Sequence, residues 1–380
     1  MAKKRVIITL LLLAPISVFA NAGTPLMWAG ILHLVLGNLV LGAIEGVLLA
    51  IVFKQPKAYC ILVMIAANYA SAWFAGLPLA NWAEASDNLD LYNAEAFVWK
   101  MAAFAFAATL LVEWPFIALC LRKMPGWLGK SLIGNLVLHV CSYGLLALWY
   151  LGASHVSLIT QLNPVLLSAI TPDRPIHIAF IDAGEGHIHT IALPGGSVGK
   201  LRDLGSTNDQ DRLVLHPNSE GTWDLNVRFD TNAIPDADIP LVKLLPGYSR
   251  LGVVKANPDN DQRKTWFNFG YLDRLPNVQT NEWRYTVGFW AAEGITAERI
   301  ATGKWEHFAF ETPFGSWPIR NATQVSENQV VFQLGDDQIC ILDRARKQIA
   351  RIANGRGPVV VQRDPNSGPV TSQLSRHSGE

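Results

Sequence analysis

Residues 27–53, MWAGILHLVLGNLVLGAIEGVLLAIVF, form an apolar run long enough to cross a bilayer, and comparable runs follow at 58–79, 97–121 and 129–151. Spanning takes about 20 predominantly apolar residues. In hydrocarbon every backbone N–H and C=O must be satisfied internally, so runs of this length read as helices. The spacing predicts a membrane α-helical bundle of about four transmembrane helices over residues 23–152. Small residues support close packing there: Gly42 and Gly46 form a GxxxG, and Ala66, Ala67, Ala70 and Ser71 line the second run. Without a hydrophobic drive between helices in lipid, association depends on backbones approaching closely.

The loops between the runs differ in sign. KQPK carries Lys54 and Lys57, and RKMPGWLGK carries Arg122, Lys123 and Lys130, whereas NWAEASDNLDLYNAEA carries Glu84, Asp87, Asp90 and Glu95 with no base. Basic loops stay in the cytoplasm, which puts the acidic loop and everything after Leu151 outside. The start of the chain agrees with this. Lys3, Lys4 and Arg5 precede a short apolar core and a small-x-small site at Ala20–Ala22, the pattern of a secretory signal over 1–22. Signal and size together read as bacterial, with the chain multi-pass in the inner membrane. Trp28, Trp73, Trp82, Trp99, Trp127 and Trp149 fall toward the ends of the runs, where amphipathic rings favour the interface.

Charged residues make up only 16% of the chain, well below the roughly 25% of soluble proteins, and the deficit lies in the helical half. Formal net charge is zero, so no general field attracts nucleic acid. The expected partners are the lipid bilayer and a protein or ligand at the outer half. The four cysteines have neither disulfide nor zinc spacing, and no cofactor motif is present.

Polar residues inside the runs are the candidate functional groups, because an ionisable side chain in a span is expensive and normally faces the bundle interior or water. Glu45, Asn68, Glu113 and His139 all fall at a similar depth, roughly 12–15 Å from the inner surface at about 1.5 Å per residue. Asn38 and Glu45 are seven residues apart on nearly one helical face, and Asn135 and His139 belong to a stripe continued by Ser142 and Tyr143. His33 lies on the outer side of Asn38. Glu45, Glu113 and His139 suit a cation site or a proton relay. Read structurally, the same residues are hydrogen-bonding glue that fixes helix register, and the sequence alone favours that reading.

Beyond a linker at 153–175, residues 176–362 hold short β-branched and aromatic segments separated by Gly, Asn, Asp and Pro turns, the pattern of an all-β domain. IAFIDAGEGHIHTIALPGGSVGKLRDLGS and VVFQLGDDQICILDRARKQIARIANGRG share a strand, acidic-Gly turn, strand, turn, strand order. Such repetition predicts a propeller-like extracytoplasmic domain, with a β-sandwich as the alternative. His187 and His189 alternate on one strand and are weak candidates for a metal. GGSVGK lacks the first Gly and the Ser or Thr that a phosphate loop needs. The tail 363–380 reads as disordered. No nucleophile-base pair or other catalytic motif stands out, so the expected function is not enzymatic. It is a membrane protein presenting a β domain for partner or ligand binding, or alternatively a cation or proton transport component using Glu45, Asn68, Glu113 and His139.

Overall fold

The computed structural model describes residues 25–76, 78–79, 90–153, 161–196, 198–206, 208, 211–217, 223–228, 248–253, 272–275, 278, 281–288, 294–312 and 315–362. The expected signal segment 1–22, the tail 363–380, and Trp82, Glu84 and Asp87 of the acidic loop lie outside the described residues. The chain forms a helical unit, to which Glu311–Gly315 also belongs, and a β unit that includes Asp90–Tyr92, Gln161–Phe310 and the chain from Ser316.

The helical unit contains α1 (Pro25–Leu32), a π-helical turn at His33–Gly37, α2 (Asn38–Phe53), α3 (Lys57–Ser71), a second π turn at Ala72–Gly76, α4 (Ala94–Leu121) and α5 (Trp127–Ala153). Among the described residues three helices are long and apolar enough to cross a membrane: Ala29–Phe53, Ala94–Leu121 and Trp127–Ala153. The expected span at 58–79 is instead a 15-residue α-helix continued by the five-residue π turn. Lys54 in the left-handed region ends α2, and Pro56 stands at the N-cap of α3, where a missing N–H costs no intrahelical bond.

The glycine pair dictates how α2 meets α3. A Cβ added at Gly42 would lie 2.6 Å from the Ile65 Cα, and one at Gly46 would lie 2.5 Å from the Ile61 Cα. Only hydrogen fits between these backbones. Leu49, Cys60, Met64, Ala67, Ile117 and Leu121 form the buried core beside this crossing. Large apolar side chains such as Leu62, Phe74, Leu111 and Leu148 face outward, the arrangement of helices solvated by lipid. Trp73, Trp99, Trp127 and Trp149 are exposed as well.

The β unit is built on a curled, half-barrel mixed sheet. The described strands of the chain are β1 (Asn163–Pro164), β2 (Ile176–Asp182), β3 (Ile188–Leu193), β4 (Gly199–Arg202), β5 (Arg212–Pro217), β6 (Trp223–Arg228), β7 (Tyr248–Val253), β8 (Leu272–Arg274), β9 (Trp283–Val287), β10 (Ile295–Arg299), β11 (Trp305–Phe308), β12 (Glu311–Thr312), β13 (Gly315–Ser316), β14 (Ile319–Gln324), β15 (Gln329–Leu334), β16 (Gln338–Asp343) and β17 (Gln348–Gln362). Nine of the described strands share the main sheet, in the order β4-β3-β2-β17-β16-β15-β14-β8, with β1 pairing β17.

The two look-alike stretches are the meanders β2–β4 and β15–β17. They are not separate blades. Strand β17 pairs β16 through its first half and β2 through its second, so both meanders merge into one sheet, and a propeller is not shown. The join requires β17 to bend. Its register shifts between Arg356 and Val359, Gly357 has φ +56°, and Pro358 has no N–H to give the ladder. A Cβ at Gly355 would lie 2.5 Å from the Phe180 ring, so the strand passes this ring only with hydrogen there.

Strand β2 is buried on both faces, as a strand in the middle of a covered sheet must be. Ile176, Ile178 and Phe180 pack with Val331, Ile339, Ile341 and Val360 in one core, while Ala179 and Ile181 pack with Leu213, Leu225 and Val227 of β5 and β6 in another. Residues 161–175, expected as linker, are partly structural: Asn163–Pro164 pair with Gln348–Ile349, and Ile170, Val165 and Leu167 join the first core. Asp90–Tyr92 also belong here. Leu91 is buried and its N–H donates to Gln338 at 2.8 Å, while Arg351 contacts Asp90 at 3.0 Å.

Candidate functional site

Helices α2, α3, α4 and α5 bring Glu45, Asn68, Glu113 and His139 together, all buried. The close crossing at Gly42 and Gly46 lets Asn68 of α3 reach Glu45, which sits between the two glycines. The Asn68 amide donates to Glu45 Oε2 at 2.6 Å and lies 3.4 Å from Glu113 Oε2. Ser71, one turn after Asn68, donates to Glu113 Oε1 at 2.5 Å. The His139 ring stands between the carboxylates, with Nδ1 3.5 Å from Glu45 Oε1 and Nε2 3.6 Å from Glu113 Oε2.

Two atoms in this cluster, Glu45 Oε1 and His139 Nε2, have no hydrogen-bond partner. Their side chains are 3% and 1% exposed. An unsatisfied polar atom at such depth costs about 1–3 kcal/mol, and more when charged. Two ionised carboxylates with one imidazole cannot be neutral without protons or a cation. In a low-dielectric setting that imbalance is strongly penalised, so the geometry favours taking up positive charge. Among the described residues, Glu45, Glu113 and His139 are the one group of His, Cys, Asp and Glu side chains with ligand spacing, offering donor atoms within 4.8 Å of one another.

The other polar candidates of the apolar helices do not enter this cluster. Asn38 donates to the Leu34 carbonyl at 3.1 Å, within its own helix. Asn135 donates to the Leu110 carbonyl of α4 at 2.9 Å, which ties α5 to α4. His33 pairs with Tyr150 at 2.8 Å. The π turn at His33–Gly37 frees carbonyls that side chains then take up: Leu34 by Asn38, and Val35 by Tyr69 at 2.5 Å. Ser71 was missed as a site residue. Its signal was available, since it lies three residues after Asn68 and so on the same helical face.

The β unit gives its histidines other work. His187 Nδ1 accepts the backbone N–H groups of Leu204 at 3.1 Å and Gly205 at 3.2 Å, while Nε2 faces the exposed Glu185 and Asp203 carboxylates at 3.7 and 3.6 Å. His189 packs at a tilt against Phe180, with ring centroids 6.1 Å apart. Asp182 accepts the N–H groups of Gly184 and Glu185, fixing the turn before β3. These contacts account for His187 and Asp182 as turn-holding residues. Cys340 is fully buried, and burial pushes its thiol up, away from the reactive thiolate. No protein-family model matches the chain, and neither a curated protein nor a solved structure aligns with it.

Proposed function

We propose that this protein is a multi-pass inner-membrane component that passes a cation or protons through its helical unit, using Glu45, Asn68, Glu113 and His139, with its β unit outside the cytoplasm. The observation that carries this reading is the convergence of two carboxylates and an imidazole in one buried cluster with polar atoms left unbonded. Elsewhere in the same helices a polar contact of the register-fixing kind is a closed pair: the Trp114 indole N–H donates to the Ser131 hydroxyl at 3.1 Å.

Four crossings support the placement of the β unit. The segment Lys57–Gly76, at about 1.5 Å per residue, is roughly 30 Å long and completes a fourth span. The chain leaves the β unit after Tyr92, runs through α4 and α5, and returns to it at Gln161. An even number of crossings between those points returns it to the starting side, opposite the basic loops. There the β unit is available to bind a partner or ligand that governs flux.

The test is flux in vesicles reconstituted with the full-length protein, read with a pH-sensitive dye and a metal-sensitive dye. Glu45→Gln, Glu113→Gln and His139→Ala are each expected to lower flux at least tenfold while leaving the yield of monodisperse protein near that of the wild type. A folded wild-type protein that carries neither protons nor cations would overturn the reading. A reporter active only outside the cytoplasm, fused after Leu151, is expected to be active; the opposite result would invert the topology.

A further inference from the structure

We propose that the ion held at this cluster is a divalent first-row transition metal, an assignment that rests on reading the cluster as a cation site. Charge makes the first selection. Two ionised carboxylates and a neutral imidazole carry two negative charges, which one divalent ion cancels, whereas one alkali ion leaves a net charge buried at side-chain exposures of 1–3%.

Donor type makes the second. Magnesium and calcium are hard ions that take oxygen ligands, while an imidazole nitrogen beside carboxylates suits zinc, iron or manganese. Spacing agrees with this choice. Metal bonds of about 2.1 Å in a tetrahedron separate neighbouring donors by about 3.4 Å, close to the 3.6 Å between His139 Nε2 and Glu113 Oε2, and each of the three side chains offers a donor atom within 4.8 Å of the other two.

The surrounding groups are arranged as supports for such a site. Asn68 holds Glu45 Oε2 and Ser71 holds Glu113 Oε1, each at hydrogen-bond distance. One oxygen of each carboxylate is thereby fixed, and the other, Glu45 Oε1 or Glu113 Oε2, is turned toward the imidazole. Outer hydrogen bonds that orient ligating carboxylates are a regular part of metal sites. Glu45 Oε1, on the Nδ1 side of the ring, and His139 Nε2, facing Glu113, are both left without a hydrogen-bond partner.

The experiment uses the full-length protein in lipid nanodiscs, stripped of metal with a chelator and titrated with Co2+. One Co2+ per chain is expected, displaced by Zn2+ but not by a hundredfold excess of Ca2+ or Mg2+, with binding weakened at least tenfold in Glu45→Gln and in Glu113→Gln. Pulsed EPR of the Co2+-loaded wild type should report a single coordinated imidazole nitrogen, a measurement that needs no variant to fold. Absence of saturable Co2+ binding, displacement by Ca2+, or absence of the imidazole nitrogen overturns the metal assignment. If Co2+ fails to bind while proton flux dependent on Glu45 persists, the metal assignment falls and the proton reading stands. Loss of both overturns both.

Discussion

The helical unit gathers buried ionisable groups into one cluster, whereas the β unit ties its buried glutamines to backbone. In the β unit, Gln333 is 2% exposed and fully engaged: its amide donates to the Gly335 carbonyl at 3.1 Å and the Asp336 carbonyl at 2.7 Å, while its Oε1 accepts the Gly357 N–H at 2.8 Å. Gln329 donates to Thr171 and accepts from the Asp173 N–H, and Gln324 donates to Ser326. Unbonded atoms such as Thr190 Oγ1 and Arg344 Nε occur there too, but among the described residues they gather into no group of His, Cys, Asp and Glu side chains with ligand spacing. In the helical unit, Glu45 and His139 each keep an unbonded atom turned toward one another's neighbourhood. The buried glutamines are spent on backbone; the carboxylates and imidazole of the helical cluster face one another, with Glu45 Oε1 and His139 Nε2 unbonded.

This contrast breaks most visibly if the two units are perturbed at equivalent depth. Gly46→Val places methyls where the backbone of Ile61 already lies 2.5 Å from a bare Cβ, and overpacking against backbone that cannot yield should cost more than about 3 kcal/mol. Loss of monodisperse protein is the expected result, and wild-type yield would show that the α2–α3 crossing is looser than described. Next in size is Gln333→Leu, which strands the Gly357 N–H and the partners of the amide. A loss of about 2 kcal/mol, seen as a fall in thermal midpoint with vesicle flux retained, is expected. Ser71→Ala should do the reverse, lowering flux while moving the midpoint by under about 1 kcal/mol, since hydrogen bonds between membrane helices contribute about 0.6 kcal/mol on average. A midpoint loss in Ser71→Ala as large as in Gln333→Leu would erase the distinction between the units.

What the sequence made legible follows the same division. Depth along a helix is fixed by rise per residue, so the common level of Glu45, Asn68, Glu113 and His139 was readable, and so was the glycine pair that lets two of the helices touch. Azimuth was not. The π turn at His33–Gly37 inserts a wider turn and rotates everything before it relative to Glu45, which takes His33 to Tyr150 instead of the cluster. Asn38 stays on the buried face but turns to a carbonyl that this same turn releases. In the β unit, Ile176–Asp182, Gln329–Leu334 and Gln338–Asp343 were readable to the residue because their composition is uniform and their turns are marked. The length of β17 was hidden, since Gly355, Gly357 and Pro358 read as a strand's end when they are the bend that joins two meanders. Blade-like repetition of a meander thus left its closure undetermined, because the pairing of β17 with β2 depends on residues far apart in sequence.

The smallest effects concern charges outside the helices, where the contrast can be sharpened by pH. Burial alone would raise the Glu306 carboxyl, but Lys347 at 2.6 Å and Arg344 at 3.5 Å outweigh it and hold the group below its ordinary value. A carboxyl depressed in the folded state contributes stability above its unfolded value, and that contribution is lost as pH falls through the folded one. Asp337 has the opposite sign: burial first, and then Asp336 beside it, raise its carboxyl, so its ionised form costs stability as pH climbs past the ordinary carboxylate range. Thermal midpoints of the full-length protein across the acid range should therefore fall less steeply toward low pH in Glu306→Gln, from a lower neutral starting point. In Asp337→Asn the midpoint should rise at neutral pH and meet the wild type in acid. Both shifts should be small, because these groups are partly exposed and screened by water and salt. Parallel curves in all three proteins would mean that neither carboxyl differs between folded and unfolded chains.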